Sequence, residues 1–272
     1  METATRPAPD TGGVPLYEAR DIVKRYGHVE ALRGASFAAY AGEVTALIGD
    51  NGAGKSTLVK ILSGAERPDS GSLLLDGKPI ALSSPQDAHR HGIETVYQDL
   101  SLATDMDPAA NIFMGREILR RGLLGKLGFI DKGAMRRQGI ETFQNLKADI
   151  KDADAPVAAL SGGQRQSVSI CRSFLWARRV MFMDEPTAAL GVVQTQRTLD
   201  LIRRIRDTGI AVVLISHNMS DVTKVADRIE VLRLGCRVAR FSNADTSIEE
   251  LVGAMTGAMG DGSEPVNKEA RA

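Results

Sequence analysis

Val44-Thr45-Ala46-Leu47-Ile48-Gly49-Asp50-Asn51-Gly52-Ala53-Gly54-Lys55-Ser56-Thr57 joins a strand-like run to a glycine-rich loop. Val44 to Ile48 is a short apolar run, and Gly49 to Thr57 fit the pattern G-x-x-x-x-G-K-[ST]. Leu58, Ile61 and Leu62 then recur at helical spacing. Strand, glycine-rich loop and helix in this order make a phosphate cradle. The glycines let the backbone curl so that successive amides point inward, and the helix N-terminus adds partial positive charge where phosphate oxygens lie. Lys55 supplies a mobile cation for the β- and γ-phosphates, Ser56 a hydroxyl for Mg²⁺ and Thr57 a hydroxyl within reach of phosphate. Gly49, Asp50, Asn51, Gly52, Ala53, Gly54, Lys55, Ser56 and Thr57 are therefore candidate nucleotide-binding residues.

Outward from this loop, Val180 to Met183 and Ala211 to Ile215 are two more short apolar runs. Such runs suit strands buried on both faces, as in parallel sheets. Between them Leu190, Val193, Leu199, Ile202 and Ile205 roughly follow helical spacing and Asp207-Thr208-Gly209 stops the segment, which predicts a βαβ unit. Each run ends in polar residues, and in open α/β sheets ligands sit beyond the carboxyl ends of the strands. Segments around Leu16 to Val23 and Ala31 to Ala38 predict antiparallel strands near the beginning. Helix-like patterns dominate from about residue 99 to 177, clearest from Pro108 onward. The expected fold is α/β: a phosphate-loop core with a mainly parallel sheet, an N-terminal antiparallel segment and an inserted helical subdomain.

Two motifs extend the site. Asp184 and Glu185 follow four apolar residues, so one carboxylate is placed to serve the Mg²⁺ shell and the next to orient or deprotonate water. Asp184 is read as the metal-side group and Glu185 as the general base. His217, after Ser216 at the end of the third run, is positioned to hydrogen-bond a γ-phosphate and the attacking water. Leu160-Ser161-Gly162-Gly163-Gln164 precedes a helix with Val168, Cys171, Phe174 and Leu175 as its apolar stripe. Ser161 and Gln164 have capping-box spacing, which explains them structurally, and the same geometry suits an anion.

The bulk properties narrow the class. With 272 residues the chain is long enough for one large domain, alone or with a subdomain. Lys plus Arg number 34 and Asp plus Glu 34, so no overall basic field exists to hold nucleic acid or an anionic membrane surface, which leaves only local patches. Cys171 and Cys236 lie far apart and outside metal-ligand spacing, as two unpaired thiols in a reducing compartment. No apolar run approaches the roughly 20 residues needed to cross a bilayer, and the start lacks an apolar signal core. The expectation is a protein soluble and cytoplasmic by itself, with mobile tails at 1–13 and 258–272 around a domain at 14–257.

Taken in order, Lys55, Leu160 to Gln164, Asp184-Glu185 and His217 make the chain resemble an ATP-binding cassette ATPase from about Val14 to Gly257. The resemblance implies that Gln98, in Thr95-Val96-Tyr97-Gln98, touches Mg²⁺ beside Ser56 and Asp184 and links the site to a transmembrane subunit. It implies that Tyr26, in Lys24-Arg25-Tyr26-Gly27, stacks on adenine. It also implies a head-to-tail pair of cassettes, in which Ser161, Gly162, Gly163 and Gln164 serve the nucleotide of the second copy. One position departs from the common pattern: after Pro186-Thr187-Ala188-Ala189-Leu190 the family commonly has Asp, and Gly191 stands here.

Gly52 to Leu58, Val96 to Leu102, Asn111-Ile112-Phe113-Met114-Gly115-Arg116-Glu117 and Met183 to Gly191 are similar to ribose-, xylose- and fructose-type monosaccharide importers, where Gly191 is at home. A single cassette matches the fructose type. The resemblance implies an ATPase at the cytoplasmic face of the inner membrane, peripheral, working with permease subunits and indirectly with an extracytoplasmic sugar-binding protein. The alternative is a cytosolic cassette acting as a nucleotide switch on a macromolecular complex. Arg116 to Lys126, with Arg116, Arg120, Arg121 and Lys126 among Leu119, Leu123 and Leu124, reads as a solvated insertion or as a contact for the membrane subunit or lipid headgroups.

Overall fold

A computed structural model of the protein describes residues 13–150 and 152–258. The segments read as tails lie outside the described residues, apart from Gly13 and Ala258. The chain opens with a hairpin, β1 (Tyr17–Tyr26) and β2 (Val29–Ala39), then β3 (Val44–Ile48), α1 (Lys55–Leu62), β4 (Ser70–Leu75), β5 (Lys78–Ile80), α2 (Pro85–Arg90) and β6 (Ile93–Val96). The next regular elements are helical: α3 (Pro108–Phe113), α4 (Leu123–Lys126), α5 (Lys132–Asn145) and α6 (Gly162–Trp176). β7 (Val180–Asp184), α7 (Val192–Asp207), β8 (Ala211–Ile215), α8 (Met219–Val225), β9 (Arg228–Arg233), β10 (Cys236–Ser242) and α9 (Ile248–Thr256) complete it.

Two sheets result. β2-β1-β4-β5 is antiparallel, whereas in β10-β9-β3-β8-β7-β6 all neighbours are parallel except the β10 edge. This is the α/β arrangement expected from the three apolar runs, and the antiparallel segment is where the early alternation put it.

The period-two rule explains why those runs are apolar on both faces, with buried Thr45 the one polar position. In β7, Met181 and Met183 enter a core shared with α6, α7 and α8, while Val180 and Phe182 enter a second core facing the antiparallel sheet and α1. β8 divides likewise, with Val212 and Leu214 on one side and Ala211, Val213 and Ile215 on the other. Tyr17 joins the sheets: its ring meets Phe182 edge to face at 6.2 Å, and its hydroxyl donates to the Leu62 carbonyl at 2.7 Å. Burial pushes that phenol well above its ordinary pKa, so it remains a donor.

Helices α3, α5 and α6 form one packed group. Buried Asn111 ties its loop, accepting from the Ala103 amide at 2.7 Å and donating to the Ala103 carbonyl at 3.0 Å. Cys171 is buried and Cys236 partly buried, and both are free thiols. Among the described residues no helix is long and apolar enough to cross a membrane.

Candidate nucleotide-binding site

Parallel strands bring their carboxyl ends to one edge, and the strand order β3-β8-β7-β6 decides which motifs become neighbours. Leu47 pairs with Ile215, Ile215 with Asp184, and Met183 with Val96. The phosphate loop, Ser216-His217, Asp184-Glu185 and Gln98 therefore leave the sheet side by side, within a few residues of register. Their sequence separation conceals this proximity.

The loop is fixed from outside. Gly54, with φ at +99°, is the N-cap of α1, and a Cβ there would stand 2.7 Å from the Ala31 carbonyl oxygen and 2.8 Å from Leu32 Cδ2. Only glycine accepts both the left-handed backbone and this close approach. The Gly235 amide donates to the Ala53 carbonyl at 3.0 Å, while the Gly235 carbonyl accepts from the Arg33 amide at 2.8 Å. The β9–β10 turn is thus a brace between the phosphate loop and β2. In the sequence this turn is marked only by the Leu234-Gly235 pair between two strand-like runs.

Within the loop, Lys55 Nζ donates to the Gly49 carbonyl at 2.6 Å and the Asp50 carbonyl at 2.9 Å. An ammonium has three donors, so one remains for a phosphate oxygen. Partial burial lowers the pKa of Lys55, opposed by the charges of Glu185, Asp50 and Asp184. The opposing charges tie the lysine to the acidic pair. Ser56 is exposed, and among the described residues neither Ser56 nor Thr57 has a side-chain hydrogen bond. The first-turn amides of α1 have no intrahelical acceptor, which is the standard anion-binding condition.

Asp184 ends β7, with its carboxyl pKa raised first by burial and then by Glu185, against the lowering effect of Lys55. Glu185 has a left-handed backbone, φ 49°, held by its amide donating to the Ile215 carbonyl at 2.9 Å. A non-glycine residue in this region is strained, and such strain concentrates at functional sites. Glu185 Oε1 accepts from the His217 amide at 3.1 Å and lies 2.7 Å from His217 Nδ1. The Glu185 side chain is 16% exposed and that of His217 75%, so the imidazole covers the carboxylate from the solvent side. This pairing spans 32 residues of sequence.

Gln98 follows β6 and is exposed. Tyr26 ends β1 at 44% exposure, with Lys24 Nζ 5.5 Å from its ring centroid. It belongs to the β1–β2 hairpin whose second strand leans on Gly54.

Ser161 to Gln164 form the other anion-directed surface. Both halves of the capping box are made: the Gln164 amide donates to Ser161 Oγ at 3.3 Å, and the Ser161 amide donates to Gln164 Oε1 at 3.0 Å. The Ser161 hydroxyl thereby accepts, and its proton stays available to a ligand. Ser161 and Gly162 are exposed, and among the described residues no hydrogen bond joins Ser161–Gln164 to Gly49–Thr57. The structure assembles one wall and leaves this second loop apart from it.

Gln194 escaped the sequence reading. A Cβ on Gly163 would lie 2.7 Å from Gln194 Cγ, and one on Gly191 2.9 Å from Gln194 Oε1. One side chain thus lies over both glycines, linking the loop before α7 to the start of α6. No local pattern flagged a glutamine on an exposed helix turn.

Comparison with known proteins gives a consistent assignment. A family model described as ABC transporter matches residues 32–188. The chain is 47% identical over 246 residues to a fructose import ATP-binding protein of Rhizobium meliloti, covering 90% of this chain and 95% of that one. A xylose/arabinose import ATP-binding protein of Sulfolobus acidocaldarius is 42% identical over 241 residues, covering 89% and 94%. Among solved structures, an ATP-binding cassette of an ABC transporter in its ADP conformation superposes with a TM-score of 0.76 at 25% identity, covering 90% and 96%.

Proposed function

Because the chain belongs to the ATP-binding cassette transporter family and is the ATPase subunit of an importer, we propose that it drives uptake of a monosaccharide, fructose foremost. The carrying observation is the edge where Lys55, Asp184, Glu185 and His217 meet, with Glu185 strained, shielded and anchored. Near full-length likeness to the fructose relative supports the cargo.

In this reading Lys55 and the α1 amides hold the triphosphate, Tyr26 stacks on adenine, and Glu185 takes the proton of the attacking water. His217 orients that carboxylate through its amide and ring, and contacts the γ-phosphate. Ser56, Gln98 and Asp184 are oxygen donors of the kind Mg²⁺ prefers, and Mg²⁺ bound there supplies charge neutralisation on the phosphates.

The exposed, self-capped Ser161–Gln164 loop completes the site of a second copy packed head to tail. Gly191 brings no carboxylate to that junction. Permease subunits receive the motion through the Gln98 region at the cytoplasmic face of the inner membrane, and an extracytoplasmic binding protein delivers the sugar.

The test is reconstitution with the permease and sugar-binding subunits, followed by phosphate release against a panel of sugars. Fructose is expected to stimulate hydrolysis most. Stimulation by a pentose alone reassigns the cargo, and a lack of stimulation by any sugar removes the sugar assignment.

A further inference from the structure

Six of the eighteen exposed large apolar side chains among the described residues fall between Leu119 and Ile130: Leu119, Leu123, Leu124, Leu127, Phe129 and Ile130. Leu123 is 74% exposed and Leu127 65%. Scattered exposed leucines need no explanation, whereas six in one short excursion do. The fold does not leave this segment loose. The Arg120 amide donates to the Phe129 carbonyl at 2.8 Å, the Asp131 amide to the Ile118 carbonyl at 2.7 Å, and Leu119 bridges Ile130, closing a hairpin with α4 at its tip.

The base is anchored in the helical group. Ile118 packs against the core, and Arg116 bonds buried Glu94 at 2.8 Å while lying 5.0 Å from the Trp176 ring centroid. Arg116 is therefore occupied structurally. Arg120, Arg121 and Lys126 are exposed and, among the described residues, have no ion pair. No Asp or Glu occurs from Ile118 to Ile130. In a chain with 34 basic and 34 acidic residues, this is a local concentration of positive charge on an apolar tip.

We propose that the 119–130 hairpin is a membrane-surface foot that docks on anionic lipid. Charge complementarity selects the occupant: the three cations are interspersed among Leu and Phe, so the long basic side chains reach lipid phosphates while the apolar ones enter the headgroup boundary. Mobile anionic headgroups can match these cations without a fixed acidic groove. The proposal rests on the importer reading only for placing the chain beside a membrane.

The full chain is tested by co-sedimentation with vesicles of equimolar phosphatidylglycerol and phosphatidylcholine, and with vesicles of phosphatidylcholine alone. Binding is expected to the anionic vesicles and to fall with salt. The triple variant Arg120→Gln, Arg121→Gln, Lys126→Gln should lose on the order of a hundredfold in affinity, from about 1 kcal/mol per cation. Leu123→Glu with Phe129→Glu should abolish binding, with basal ATP hydrolysis and circular dichroism unchanged in both variants because the changed side chains are exposed.

Absence of phosphatidylglycerol-dependent binding by the unaltered chain overturns the proposal, as does equal binding by the variants. Variants that lose permease copurification but sediment like the unaltered chain assign the hairpin to a protein contact and also overturn it. Vesicle binding uses the subunit alone, so its failure is distinct from failure of sugar-stimulated hydrolysis.

Discussion

The phosphate loop and the Ser161–Gln164 loop both lead into a helix N-terminus, yet they are supported in opposite ways. The first is gripped by β2, by the β9–β10 brace and by its own lysine. The second caps itself, faces solvent at Ser161 and Gly162, and leans on the rest of the chain through Gln194. A loop held from behind offers a finished half-site, and a self-sufficient loop facing outward is suited to a second copy's nucleotide. The strain stored at Glu185 belongs to the finished wall.

The sharpest way to break this comparison is at the carboxylate proposed as the general base. Glu185→Gln should reduce phosphate release about a thousandfold, the middle of the range for a general base, while ATP stays bound and pairs accumulate by size exclusion. Hydrolysis near the original rate would falsify the base role. At the next level, Gly54→Ala should cost about 3 kcal/mol in urea unfolding and abolish nucleotide binding, because the methyl meets the Ala31 carbonyl from a left-handed backbone.

On the open loop, Gly163→Ala should lower ATPase by displacing Gln194, and Gln194→Ala in the same chain should restore much of it. A double-mutant cycle is expected to return a coupling of about 1 kcal/mol, and additivity would show that the contact is idle.

Asp184→Asn probes the wall's electrostatics. The folded-state pKa of Asp184 is raised by burial and by Glu185, so its protonated form favours folding. That contribution is present below the unfolded carboxylate value, about 3.9, and is lost as pH rises through the folded value. At pH 7 the amide should therefore raise Tm by a few degrees while turnover collapses, with the gain shrinking as pH falls toward the carboxylate range. An unchanged Tm at pH 7 would mean that attraction to Lys55 offsets the burial. The smallest effect is expected at Gly162, where a Cβ has open space: Gly162→Ala should change unfolding free energy by less than about 1 kcal/mol.

The legible parts of the fold share one property. Val180–Met183 and Ala211–Ile215 are apolar at every position, and Val44–Ile48 at all but buried Thr45, because each strand feeds two cores, so strand and parallel sheet were both readable. The phosphate-loop cradle was readable because its chemistry lies in consecutive residues. β9 and β10 were not assigned: β9 carries buried Glu230, paired with Arg237 and Arg240, which interrupts the apolar run. For Arg116 to Lys126 the sequence left a solvated insertion and a contact for the membrane subunit or lipid headgroups both open, since exposure of the leucines depends on what the helical group leaves uncovered.

By itself the sequence determined the phosphate-loop cradle, the acidic pair, the self-capping helix start and the α/β class, because each is written in neighbouring residues or a short period. Tertiary structure decided that His217 covers Glu185, that the β9–β10 turn braces the phosphate loop, that Gln194 lies over Gly163 and Gly191, and that six exposed apolar side chains share one hairpin with three cations that have no ion pair among the described residues. The physical reason is strand order: β8 enters between β3 and β7, and that crossover makes neighbours of residues that local sequence keeps apart.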